Sequence, residues 1–189
     1  MIQTKPLKDK KCKNAECKRL FSPARPMQSV CSPTCGLKIA RATREKKERV
    51  ETAAKRKALR PRKEWMDLAQ AAVNRYVRLR DAHLPCVSCD RPATWDGRWN
   101  ASHFRSVGAA TAVRYHLWNI HRACYICNMQ LSGNLSEYEP RLRARIGDAK
   151  VDWLRTQNQR VLYDIEYLQR IRKVFAKKAN RLEKRMERQ

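Results

Sequence analysis

The chain is 189 residues long, enough for one ordinary domain or two small ones. Its 43 Lys and Arg face 18 acidic residues, a formal net charge of +25. That charge repels itself in a compact fold and suits a polyanionic partner, nucleic acid first and an anionic membrane surface second. No apolar run is long enough to span a bilayer. The basic start MIQTKPLKDKKCK lacks the apolar stretch of a secretory signal, so a reducing cytoplasm is expected and eight cysteines point to metal rather than disulfides. Ribosomal and histone-like proteins share such a charge, so it gives a partner class and no activity.

Residues 1–36 hold four cysteines among Pro23, Pro26 and Pro33 and read as a small loop-rich module. Residues 37–82 are rich in Ala, Arg, Lys and Glu, a helical composition that Pro61 splits. The first half has few apolar residues and reads as a solvated helix or a frayed linker. From near Lys63, the spacing of Trp65, Leu68, Ala72, Tyr76 and Leu79 predicts an amphipathic helix. Between residues 83 and 147 Gly and Pro return. There ATWDGRWNASHF predicts two short strands about the Asp96-Gly97 turn, and the later CxxCN predicts a helix start.

Asp148, after Gly147, is expected to cap a last helix running over 148–189. Its stripe of Val151, Leu154, Val161, Ile165, Leu168, Ile171 and Phe175 fits a dimer seam or packing onto the Trp65–Leu79 helix, and the second is preferred because the central segment needs support. The basic tail after it reads equally as a solvated helical end and as a phosphate-contacting arm.

The cysteines form two sets, Cys12-x4-Cys17 with Cys31-x3-Cys35, and Cys86-x2-Cys89 with Cys124-x2-Cys127. Close pairs let one turn present two thiolates to a tetrahedral zinc about 2.3 Å away. Four cysteines per set leave no ligand position for water, so both zincs are expected to be structural and any chemistry must sit elsewhere. A redox pair is the alternative, but the strand–helix pattern around a thioredoxin-like CxxC is missing.

Between the second pair of knuckles lie His103 in ASHF and Asn119 in WNIHRAC, and Asn128 follows Cys127 directly. The order CxxC, His, Asn, CxxC-Asn over residues 83–140 resembles the zinc-stapled HNH, or His-Me finger, nucleases. The resemblance implies a mainly helical α+β fold with a ββα-metal core in residues 83–147. It also implies His103 as general base, Asn128 as ligand of a catalytic Mg²⁺ or Mn²⁺, and Asn119 as the residue that orients the loop. A neutral imidazole can take a proton from water near pH 7, and a hard cation binds carboxamide and phosphate oxygens. The plainer readings are a hydrogen-bonded hairpin residue for His103, a turn residue for Asn119 and a helix cap for Asn128. Many family members carry Asp or His before the base; this chain has Ser102, with His121 and His116 as other available ligands.

Taken with the N-terminal cysteine module, the basic spacer, HLPCVSCD and LSGNLSEYEPRL, the chain resembles the NinG/Rap recombination endonucleases of lambda-like phages. That implies a phage-encoded enzyme in the bacterial cytoplasm, cutting branched DNA such as Holliday junctions and D-loops. A homodimer is expected, with phage or host recombination proteins as further partners. Arg105, His121, Arg122, Ser132 and Asn134 are candidate phosphate contacts, the last two through a turn around Gly133. The alternatives are a non-catalytic zinc-stabilised DNA-binding protein, an RNA-binding protein, and a sequence-specific HNH endonuclease.

Overall fold

The computed structural model describes residues 7–188; the first six residues of the expected N-terminal module, and Gln189, lie outside the described residues. The chain divides into two compact units, residues 1–60 and 61–189. It is mainly helical, with two small two-stranded sheets.

In the first unit, β1 (Lys10–Lys11) pairs antiparallel with β2 (Leu20–Phe21). Two-residue strands cannot bury a core, and the buried residues here are Cys12, Asn14, Pro23 and Cys35. Helix α1 (Pro33–Ala58) follows, with Ser32 as N-cap accepting from the Cys35 backbone N–H and Pro33 in the first turn. Only Cys35 of α1 is buried. The rest is a solvated helix laced by i,i+4 pairs, Arg41–Glu45, Arg44–Glu48 and Lys47–Glu51.

The second unit is organised on α2 (Arg62–Arg80), which starts directly after Pro61. Trp65, Ala69, Val73 and Val77, four apart, form its buried stripe. Helix α5 (Ile165–Met186) lies across it through Leu168, Phe175 and Ala179, with the Phe175 ring 5.3 Å from that of Tyr76. Much of the C-terminal apolar stripe is therefore buried within the chain, as preferred over a dimer seam. Strand β3 (Trp99–His103) pairs antiparallel with β4 (Ile120–Cys124), His103 opposite Ile120 and Ser102 opposite His121. One core joins this sheet to α2 and α5 through Ile120 and Tyr115. The other joins it to α3 (Leu135–Ile146) and α4 (Asp148–Thr156) through Ala123, Tyr138, Leu142, Val151 and Leu154.

Three expectations need correction. The strands do not flank Asp96-Gly97: the partner of β3 is β4, twenty residues on, and Gly97 is instead where the Trp95 indole folds over the backbone, within 2.6 Å of any Cβ added there. The CxxCN segment opens only a five-residue π-turn, Ile126–Gln130, closed by the Leu131 N–H donating to the Ile126 carbonyl; α3 begins at Leu135. The C-terminal segment is two helices. Arg105 donates to the Leu154 and Arg155 carbonyls at the end of α4, the Tyr163 hydroxyl donates to the Thr111 and Ala112 carbonyls, and Asp164, not Asp148, caps the last helix by accepting from the Tyr167 N–H at 2.6 Å. Gly147 precedes α4, and Asp148 in its first turn pairs with Arg143 at 3.2 Å.

Candidate functional site

Both cysteine tetrads are assembled, each with its four sulfurs within 4.8 Å of one another. Four sulfurs about 2.3 Å from a tetrahedral ion stand about 3.8 Å apart. The separations Cys17–Cys31, Cys31–Cys35 and Cys89–Cys124 are 3.6, 3.8 and 3.9 Å. Both tetrads thus fit zinc by number, element and spacing.

The thiols show the same fit electrostatically. The Ser32 hydroxyl and the Asn14 amide hold Cys35 down to about 6, whereas the Cys17 thiol and partial burial push Cys31 up to about 12. At the second tetrad burial works against ionising Cys89, yet the backbone N–H and guanidinium of Arg91 outweigh it and bring the thiol to about 7. Crowded sulfurs that cannot all ionise unaided are what a dication stabilises. Backbone N–H groups of Ser88 and Cys124 donate to Cys86, and that of Cys127 to Cys124.

The second tetrad fastens β4 and the π-turn to the loop at Val87–Cys89. Asn134 donates to the Ser88 carbonyl at 2.7 Å, and the Ser88 hydroxyl donates to the Gly133 carbonyl at 3.0 Å. Ser132, Gly133 and Asn134 are all left-handed, with φ of 49°, 96° and 50°. The chain thus doubles back between π-turn and α3, and Gly133 comes to about van der Waals range of the Ser102 hydroxyl, 4.0 Å from an added Cβ.

His103 ends β3, half-buried. Its Nε2 is 3.1 Å from the Arg114 carbonyl, an acceptor only, and 3.4 Å from the Gln70 amide nitrogen. The Gln70 amide cannot be turned round: its oxygen accepts from Arg114 Nε at 3.1 Å and its nitrogen donates to Asn74 Oδ1 at 2.8 Å. Because the Arg114 carbonyl, the nearer neighbour, can only accept, Nε2 is assigned the proton and donates to it, which leaves the lone pair on Nδ1; the Gln70 amide nitrogen, itself a donor, makes no hydrogen bond with Nε2 in that tautomer. Burial, and secondarily the Arg114 charge, hold the imidazole below the usual histidine range against the Arg114 hydrogen bond, so it is neutral at pH 7. No hydrogen bond among the described residues uses Nδ1.

Asn119 is fully buried and fills its hydrogen-bonding capacity inside the loop. Its oxygen accepts from the Arg105 N–H at 2.7 Å; its nitrogen donates to the Arg105 and Val113 carbonyls at 3.0 and 3.1 Å. It therefore braces the loop carrying Arg114, the acceptor for His103, and has no N–H left to reach outside that loop. Asn128 lies half-buried in the π-turn, its amide nitrogen against Met129 Sδ at 3.3 Å and its oxygen without a hydrogen bond among the described residues. The π-turn packs on both β3 and β4.

The expected phosphate contacts fare unevenly. The Arg105 guanidinium is spent on α4 and Asn158. Arg122 is buried, donating to carbonyls of Ala82 and Leu84 and lying 3.5 Å over the Trp99 ring. His121 is buried, its Nε2 donating to the Trp118 carbonyl and its Nδ1 facing Arg80. Burial and the Arg80 charge push it down to about 4, so its 3.7 Å approach to Asp81 is not an ion pair at neutral pH. In the turn, the Gly133 and Asn134 N–H groups already serve the Cys127 and Leu131 carbonyls, leaving only Ser132, which is exposed. As for extra ligands, His116 is packed between Trp118 and Trp153 with Nδ1 accepting from the Trp118 N–H, and Ser102 is buried. No third group of His, Cys, Asp or Glu is gathered among the described residues.

Sequence reasoning missed three contributors. The Arg114 carbonyl fixes the His103 tautomer and Gln70 accepts from the Arg114 guanidinium, and only tertiary contact brings α2, β3 and the 104–119 loop together there. Asp81, which closes α2 and accepts from the Arg122 N–H at 3.0 Å, is held ionised by Arg80 despite its burial; its place at the helix end was the one available signal.

The family model for the bacteriophage lambda NinG protein matches residues 4–187. The chain is 37% identical to protein ninG of Escherichia phage lambda, 38% to that of Salmonella phage P22 and 35% to that of Escherichia phage 933W. Each alignment spans 187 residues and covers 89% of this chain and 91% of the relative. No solved structure matches it. Among the described residues no helix is long and apolar enough to cross a membrane. Matched nearly end to end by the family model and by relatives at 35–38% identity, this protein is a member of the NinG family of lambdoid phage proteins.

Proposed function

We propose that the protein is a metal-dependent endonuclease that cuts branched DNA. The observation that carries this reading is the state of His103: neutral, its Nε2–H tied to a carbonyl, its Nδ1 lone pair free, on a strand against which the turn bearing Asn128 packs. In hydrolysis Nδ1 accepts the proton of a water that attacks the phosphorus, a role worth typically 10²–10⁴-fold. The resulting imidazolium keeps its Nε2 bond to Arg114, so the ring does not reorient between states. Asn119 holds that carbonyl in place.

The donor set for a cation is sparse, one carboxamide oxygen on Asn128 with Ser102 buried in place of a stronger ligand. It fits an ion such as Mg²⁺ or Mn²⁺ that retains waters and shares the substrate's phosphate oxygens. When bound, the ion would neutralise charge developing on the phosphate and the leaving oxygen.

The branched-substrate part of the reading rests on the motif resemblance to NinG/Rap recombination endonucleases, and the charge agrees with it. A branch is read by shape and phosphates more than by base edges. A homodimer, the simplest source of two symmetry-related nicks, would use a surface other than the Leu168–Ala179 face, because α2 covers that face.

The test uses end-labelled four-way junction and matched linear duplex with wild-type protein in Mg²⁺, in Mn²⁺ and in chelator. Cation-dependent cuts confined to the junction are expected. Tight binding without cuts in every condition would move the protein to the non-catalytic DNA-binding class, with Ser102 as the reason, and equal cutting of both substrates would remove the branch preference.

A further inference from the structure

Helix α5 carries a charge pattern that the nuclease reading does not use and that the fold uses only where the Arg170 guanidinium lies 5.5 Å from the Tyr167 ring. Arg170, Lys173, Lys177, Arg181 and Lys184 are all exposed and recur at intervals of three or four. At 3.6 residues per turn they fall within a sector of about 80°, opposite the face of Leu168, Phe175 and Ala179 that is buried on α2, and the row is about 21 Å long. No acidic residue interrupts it. Glu166 lies a turn before it, Glu183 is turned to Arg75 on α2, and no ion pair among the described residues reaches any of the five.

The contrast with α1 shows that this is more than a basic composition. Between Arg41 and Glu51 the exposed cations of α1 are interleaved with Glu and form three i,i+4 pairs. A helix held only for solubility alternates its signs, whereas five like charges in one row repel one another and destabilise the helix by a few tenths of a kcal/mol per pair. That cost is recovered only against a row of anions.

We propose that this outer row of α5 is a second nucleic-acid site, a track for the sugar-phosphate backbone of a duplex arm, separate from the His103 centre. The identification of DNA as the polyanion rests on the function proposed above. One strand of B-DNA presents a phosphate every ~3.4 Å of axis, so the row spans about six base pairs. An anionic membrane is the weaker occupant, because a helix lying on a bilayer needs a free apolar face and that of α5 is covered.

The test measures binding of a fluorescent 30-base-pair duplex by His103→Ala protein in chelator, across a salt series, so that cutting plays no part. Three proteins are compared: His103→Ala alone, His103→Ala with the five α5 cations changed to Gln, and His103→Ala with five α1 cations (Lys46, Arg49, Lys55, Arg56 and Lys57) changed to Gln. At about 0.9 per phosphate contact, the α5 variant should flatten the slope of log K against log salt by about 4, and the α1 variant by no more than about 1. Circular dichroism checks that all three are equally folded; the substituted side chains are exposed, so they should be.

Equal losses in the two charge variants would mean that net charge alone matters and would overturn the track. So would an unchanged slope, or loss of binding to phosphatidylserine vesicles with DNA binding intact. Wild-type cleavage of the junction is measured in parallel. Its absence would sink the nuclease reading while leaving the salt-slope result standing.

Discussion

The two cysteine tetrads are chemically alike and structurally opposite. Around Cys12, Cys17, Cys31 and Cys35 there are two-residue strands, a solvated helix and hardly any buried apolar side chain other than the cysteines themselves. Around Cys86, Cys89, Cys124 and Cys127 there are Val87, Ala123, Tyr138 and Leu142, all fully buried. In the first unit a bound metal would stand in for a core. In the second a core exists, and a metal on the tetrad would fix where β4 stops and the π-turn carrying Asn128 begins. The same ligand set can therefore supply stability in one place and position in another.

The largest effect should come from removing zinc. Structural zinc supplies on the order of 10 kcal/mol in small modules, so chelation or Cys12→Ser should leave residues 7–32 without a fold. Cys124→Ser should leave α2 packed on α5 while freeing the β4–π-turn corner. Limited proteolysis distinguishes the two: early cuts near residues 12–31 in the first case and near 125–134 in the second. Equal disruption of both units by either change would erase the contrast.

The second unit should respond instead to its buried polar groups. His121 has a depressed pKa of about 4 in the fold against ~6.5 unfolded. The neutral form is thus favoured by folding: its contribution is full above pH 6.5 and is lost as pH falls towards 4, about 3 kcal/mol in all. Urea titrations of wild type and His121→Gln at pH 7 and pH 4.5 measure it. The variant should show a flatter dependence, with zinc loss common to both.

Asn119→Ala should cost about 2–3 kcal/mol, since it strands the Arg105 N–H and two carbonyls in the interior. It should slow cleavage by displacing Arg114 from His103. A thermal shift with no change in cutting would mean that the loop does not orient the base.

What could be read from the sequence followed from short-range chemistry. Both cysteine sets and the break at Pro61 depend on spacing alone, and so does packing of the last helix onto α2. The helix of α2 was legible too, but beyond Trp65 its buried line is Ala69, Val73 and Val77, with the expected Leu68, Ala72 and Tyr76 only half-buried beside it and Leu79 outside that cluster. What could not be read depended on distant partners. The strand partner of residues 99–103 was obscured because Gly97 looks like a turn residue and in fact makes room for Trp95. The break between α4 and α5 contains no Gly or Pro; it is made by Arg105, Thr111 and Tyr163, and only Asp164 marked it locally. At the candidate site His103, Asn119 and Asn128 stood out by order along the chain. The loss of Arg105, His121 and Arg122 from phosphate contact did not, because whether a cation faces solvent or a carbonyl is decided by tertiary structure.

The measurement that tests the central claim most directly is single-turnover cleavage of a four-way junction by wild type and His103→Ala, with and without added imidazole, across pH. The account predicts a loss of 10²-fold or more in the variant and partial rescue by imidazole. It also predicts a wild-type rate that falls on the acid side only below the ordinary histidine range, as Nδ1 takes up a proton. Undiminished cleavage by His103→Ala would contradict it.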